Sequence, residues 1–92
     1  MKLTVHGSIH ELGRYAKIDN VNDDLPSILN KKIVQAVPDT YLLLKEIGDG
    51  YVVFDYIRFT SAEEVTLRLG ESKDFSHEGN AYGYQVRYAL EE

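Results

Sequence analysis

The sequence predicts an α+β fold: a mainly antiparallel sheet of about five to six strands, with one helix at about residues 24–37 packed on one face. Three observations lead there. Alternation of apolar and polar residues recurs along most of the chain, one stretch ending at Pro38 has helical spacing instead, and glycine-bearing turns separate the alternating runs. With 92 residues, the chain is read as a single domain, 1–92, around one thin core.

The elements follow in chain order. Lys2 to Ile9 sets Leu3, Val5, Gly7 and Ile9 against Lys2, Thr4, His6 and Ser8, the pattern of a half-buried strand. His10 to Gly13 supplies a turn, and Arg14 to Asp19 is read as a second, shorter strand closing a hairpin. The polar run Asp19 to Asp24 can accept the free N–H groups of a following helix. Pro26 is tolerated in a first helical turn, and Leu25, Ile28, Leu29, Ile33, Ala36 and Val37 recur at helical spacing until Pro38.

Tyr41 to Ile47 is a third strand, with Leu42 and Leu44 facing the helix and Lys45 facing water. Gly48-Asp49-Gly50 is a tight-turn signal, so Tyr51 to Phe59 is expected to fold back antiparallel. Ser61 and Glu64 match a helix capping box, yet Val65, Leu67 and Leu69 alternate; a strand is favoured over 61–69, with helix as the alternative. Gly70 to Asn80 holds Phe75 and little else that is apolar, and reads as a long loop. Tyr82, Tyr84, Val86, Tyr88 and Leu90 alternate with Gly83, Gln85, Arg87 and Ala89 in the cleanest strand of the chain.

Composition narrows the function. Ten basic against fifteen acidic residues leave a net charge of −5, the wrong sign for wrapping duplex DNA. No apolar run approaches the roughly 20 residues of a membrane-spanning helix. There are no Cys, so disulfides, thiolate metal sites and cysteine nucleophiles are excluded. With no apolar leader after Met1, the expectation is a cytoplasmic protein.

Catalytic patterns fail in turn. Ser76-His77-Glu78 has the letters of a triad, but neighbouring side chains on an extended segment diverge. His6 and His10 on one strand face lie about 13 Å apart, too far for one metal ion. A calcium loop starting at Asn20 needs Gly at its sixth position and Glu at its twelfth; Leu25 and Lys31 stand there. Asp55, flanked by Phe54 and Tyr56, must find a partner or water, and is read as a surface acid or one paired with Arg at a sheet edge. No catalytic residue, metal ligand or cofactor is assigned.

Seven Tyr and no Trp are the feature above background. Phenol rings give large rigid contact area at low entropic cost, and arginines between them add charged anchors. The expectation is therefore a small non-enzymatic protein-binding module or inhibitor acting through a Tyr-rich strand, with Tyr82, Tyr84, Tyr88, Arg87, Arg58 and Tyr56 as binding residues. Its partner would be another protein or a second copy, met at a sheet edge or sheet face. The alternative is a binder of single-stranded nucleic acid or nucleotide using the same rings, and a small hydrolase-type enzyme ranks third.

Overall fold

The structure is a computed structural model that describes all residues, 1–92. Its strands are β1 (Lys2–Glu11), β2 (Arg14–Asn22), β3 (Lys32–Val34), β4 (Thr40–Gly48), β5 (Tyr51–Arg58), β6 (Ser61–Arg68), β7 (Ser72–His77) and β8 (Tyr82–Glu91). One helical turn, α1 (Leu25–Ile28), precedes β3. The antiparallel character holds at every strand pair. The number of sheets does not. Instead of one sheet of five to six strands under a helix, there are two four-stranded sheets, ordered β2-β1-β8-β7 and β3-β4-β5-β6.

The expected helix at 24–37 is the largest correction. Leu25, Pro26, Ser27 and Ile28 do form a helical turn, with Pro in its first positions and Leu25 buried. Leu29 then takes ψ 130° and Asn30 takes φ 62°, which together end the helix. Asp24 makes no capping hydrogen bond through its side chain. Beyond the break, Ile33 and Val34 are β-branched and pair with Leu42 and Tyr41 as an added edge strand. A single turn cannot cover a sheet, so the apolar faces of the two sheets cover each other.

The core records that arrangement. Leu3, Val5, Ile18, Tyr84, Val86, Tyr88 and Leu90 from the first sheet meet Leu42, Leu44, Val52, Phe54, Tyr56, Val65 and Leu67 from the second, with Leu25 and Val37 beside them. Leu42 and Leu44 face inward as expected, but toward the other sheet. A bulge between Leu44 and Glu46 then resets the alternation, so Glu46 pairs outward with Val53 and Ile47 turns toward the core. Lys45, the extra residue, bonds Asp55 at 2.9 Å and also reaches Glu64. Asp55 therefore finds a lysine on the outer face of a middle strand, and neither an arginine nor a sheet edge.

The Gly48 to Gly50 hairpin forms as read, with Gly50 at φ 77°. Residues 61–68 are a strand, the favoured of the two readings. The expected loop at 70–80 is a strand for half its length: β7 pairs Ser72 to His77 with β8. Its alternation was invisible in sequence because the inward side carries Lys73, Phe75 and His77 while the outward side carries Ser72, Asp74 and Ser76. The Tyr-rich strand offers no sheet edge to a partner, since β8 lies between β1 and β7 with both backbone edges bonded. No helix is long and apolar enough to cross a membrane.

Candidate functional site

The two hairpin tips that close β1–β2 and β5–β6 lie at the same end of the sandwich, where Glu11 and Phe59 line one cleft. Glu11 pairs with Arg14 and Arg58 with Ser61, leaving the two-residue tips Leu12-Gly13 and Phe59-Thr60. Such tips need positive φ, which glycine or asparagine adopts most readily. Here Leu12 sits at φ 49° and Phe59 at φ 55°. Left-handed backbone costs an L-residue roughly 1–2 kcal/mol. The side chains do not recover it by burial: Leu12 is 78% exposed and Phe59 65%. Tyr15, next to the first tip, is 74% exposed.

Two segments brace these tips. The Leu12 N–H donates to the carbonyl of Ala81 at 2.9 Å, and the Phe59 N–H to the carbonyl of Asp39 at 3.1 Å. Asp39 is itself at φ 57°, so three of the four non-glycine residues with positive φ belong to this end. Strained backbone persists where surrounding contacts over-determine it, and it concentrates at binding sites.

Arg58 lies in the middle. As the last inward residue of β5 it points between the sheets, and its guanidinium stands 4.9 Å from the Phe59 ring centroid, 5.1 Å from Tyr84 and 5.8 Å from Tyr82. Its one hydrogen bond is long, from Nη2 to the Tyr82 hydroxyl at 3.5 Å. Its Nε is buried and meets no acceptor. Two open clefts flank it. The larger, about 510 Å³, is lined by Tyr56, Phe59, Ser61, Ala62, Glu63 and Phe75; the smaller, about 260 Å³, by Glu11, Pro38, Asp39, Phe59 and Tyr82. A third cleft, about 660 Å³, follows the β1–β2 hairpin past Leu12 and Tyr15.

Of the six residues singled out in sequence, this end gathers Tyr56, Arg58, Tyr82 and Tyr84. Only Arg58 and Tyr82 keep appreciable surface, both half-buried. Tyr84 is buried beneath Arg58, and Tyr56 is buried with its ring stacked on Phe75, centroids 3.8 Å apart. Tyr88 lies deeper, edge-on to Tyr56 and Phe75, with its hydroxyl donating to Gln35 Oε1 at 2.5 Å. Burial pushes the Tyr56 and Tyr88 phenols far above their ordinary range. These three rings are packing material, because even-numbered residues of β5 and β8 face the opposing sheet. Arg87 is elsewhere, exposed on the outer face of the first sheet and paired through both ends of its fork with Asp74 at 2.7 and 3.1 Å.

Leu12, Tyr15 and Phe59 were not singled out. Leu12 carried a signal, a bulky apolar residue inside the expected turn His10 to Gly13; Phe59 closes an expected strand and Tyr15 sits within another, so neither stood out. The triad letters separate as expected of a strand, with Ser76 outward and His77 inward beside Tyr82 and Tyr84. No three His, Asp or Glu side chains converge to hold a metal ion. Comparison with protein-family models, with curated proteins and with solved structures returns no match for this chain.

Proposed function

We propose that the chain is a small non-enzymatic protein-binding module, and that it meets its partner through the hairpin end of the sandwich. The observation that carries this is the pairing of cost with exposure: Leu12 and Phe59 hold unfavourable backbone while leaving their apolar side chains in water. Selection for stability alone favours asparagine or glycine at Leu12, whereas at Phe59 the contact of its ring with Arg58 at 4.9 Å offsets part of the strain. An apolar side chain kept at such a position serves something outside the fold, and Arg58 and Tyr82 between the tips add the residue types on which interfaces concentrate binding energy. Contact through the outer face of the first sheet is less favoured, since it carries the polar row Asp19, His6, Arg87 and Asp74.

The single-stranded nucleic-acid alternative loses support with the burial of Tyr56, Tyr84 and Tyr88, because bases need exposed rings to stack on. Of the two arginines between those rings, Arg87 is also neutralised, by Asp74.

The test is parallel affinity capture from native lysate by the wild-type chain, Leu12→Asn plus Phe59→Gly, and Arg87→Ala. One protein retained by the first and third baits and lost from the second is the expected result. Equal retention by all three, or recovery of nucleic acid in place of protein, defeats the proposal.

A further inference from the structure

We infer that Arg58 is the centre of a carboxylate-binding site, which takes a monoanionic carboxylate attached to an apolar or aromatic group. This deepens the binding reading above and rests on it for the identity of the partner. The donor set of Arg58 is incomplete. A guanidinium offers five N–H groups in a planar fork that matches a carboxylate. Arg58 uses one of them, in a 3.5 Å bond to Tyr82. No carboxylate lies within 4.0 Å of its nitrogens. Lys2, Arg14, Lys17, Lys31, Lys32 and Arg68 also lack ion partners; the last five stand exposed in water, and half-buried Lys2 has no buried nitrogen left without a partner. Arg58 is half-buried with its Nε sealed and unbonded, a state that is costly unless an acceptor arrives.

The surroundings select the ligand. The guanidinium carbon lies over the rings of Phe59, Tyr84 and Tyr82, contacts that satisfy none of its N–H groups and so leave them for an acceptor. The larger cleft beside it is walled by Tyr56, Phe59, Phe75 and Ala62, so whatever carries the acid should be apolar. Three native acids face the site and limit its charge. Glu63 lines the larger cleft but is held by Lys73 at 3.2 Å, while Glu11 and Asp39 line the smaller one without reaching Arg58. Arg58 is the one cation here and Glu11 and Asp39 stay unpaired beside it, so a second negative charge on the ligand meets repulsion, which favours a monoanionic carboxylate over a phosphate dianion.

Two sources share this chemistry: a free aromatic acid, and the C-terminal carboxylate of a peptide ending in an aromatic residue. The experiment is a titration of the nitrogen-15-labelled chain, followed through the Arg58 Nε–H and the backbone amides of Phe59 and Tyr82. The probes are benzoate, N-acetylphenylalanine, their neutral amides and inorganic phosphate. Benzoate and N-acetylphenylalanine are expected to shift these resonances saturably, the amides and phosphate to leave them in place, and Arg58→Gln to abolish the response while the remaining spectrum stays folded. If the wild-type Nε–H responds equally to acid and amide, or to neither, the inference is overturned, whatever the variant does. A tenfold preference for N-acetylphenylalanine over benzoate assigns the site to a chain terminus, and the reverse preference to a small acid. Carboxylate binding with unchanged capture would sink the protein-binding reading alone; lost capture without carboxylate binding would sink only this inference.

Discussion

Replacing Leu12 by Asn should make the protein more stable while weakening its contact with a partner. The magnitude comes from two opposed terms. Leu12 at φ 49° carries a left-handed penalty of roughly 1–2 kcal/mol. Being 78% exposed, it returns about a fifth of a leucine's burial, about 0.4 kcal/mol. Asparagine tolerates the same backbone through local hydrogen bonding, and Asn-Gly is the preferred pair for a two-residue tip whose second residue, Gly13, is at φ 79°. The net gain should be about 0.5–1 kcal/mol, read in differential scanning calorimetry as a rise in Tm of roughly 2–8 °C. Phe59→Gly makes a contrast. It relieves similar strain but gives up about a third of a phenylalanine's burial, the stacking of Arg58 at 4.9 Å and some unfolded-state restriction, so the fold should lose about 0.5–1 kcal/mol. A fall in Tm on Leu12→Asn would mean that Leu12 is a structural contact, and the argument from strain to binding would fail with it.

Tyr88→Phe removes the donor to Gln35 Oε1 and should cost about 1–2 kcal/mol in urea unfolding, whereas Tyr56→Phe deletes a buried hydroxyl that meets no partner and should be neutral or stabilising by up to about 1 kcal/mol. Equal losses would refute the assignment of partners. Both phenols titrate above their ordinary value of 10.0 because burial disfavours the charged form, so their contribution is complete below that pH and is lost as pH rises beyond it. Alkaline unfolding followed by circular dichroism should therefore begin above pH 10.0 and shift to higher pH in Tyr88→Phe, once compared at equal starting stability. At the acid end, the Arg87 guanidinium holds the Asp74 carboxyl below its ordinary 3.8, so that pair supports the fold above this value and fades as pH falls through the lowered one; Asp74→Asn should flatten this limb of the stability curve, and an unchanged limb would refute it. Gly7→Ala should abolish the native amide spectrum, because a Cβ there would meet the Gln85 carbonyl oxygen at 1.9 Å and the opposing β8 backbone has no room to yield; a folded variant would mean the strands can separate.

Alternation along β1, β5 and β8 was enough to find those strands and to say which residues share a face, because side chains on a strand alternate whatever lies above them. The Asp49-Gly50 turn was legible for a similar local reason. What lies above the face was not legible. Leu25, Ile28 and Leu29 fit a helix by spacing, yet the chain leaves that helix at Asn30 because Ile33 and Val34 gain more as an edge strand against β4. Strand β7 was missed since an edge strand needs only Phe75 to anchor it, and its neighbours are polar on both sides. The six aromatic and arginine residues were chosen by type, and type does not say which face looks outward. Only the closure of one sheet on the other sent Tyr56, Tyr84 and Tyr88 inside and set Arg58 against Tyr82 and Tyr84, while the pairing of β7 with β8 gave Arg87 to Asp74. Local periodicity is a property of the chain, whereas burial and the company of a charge belong to surfaces joined by long-range packing.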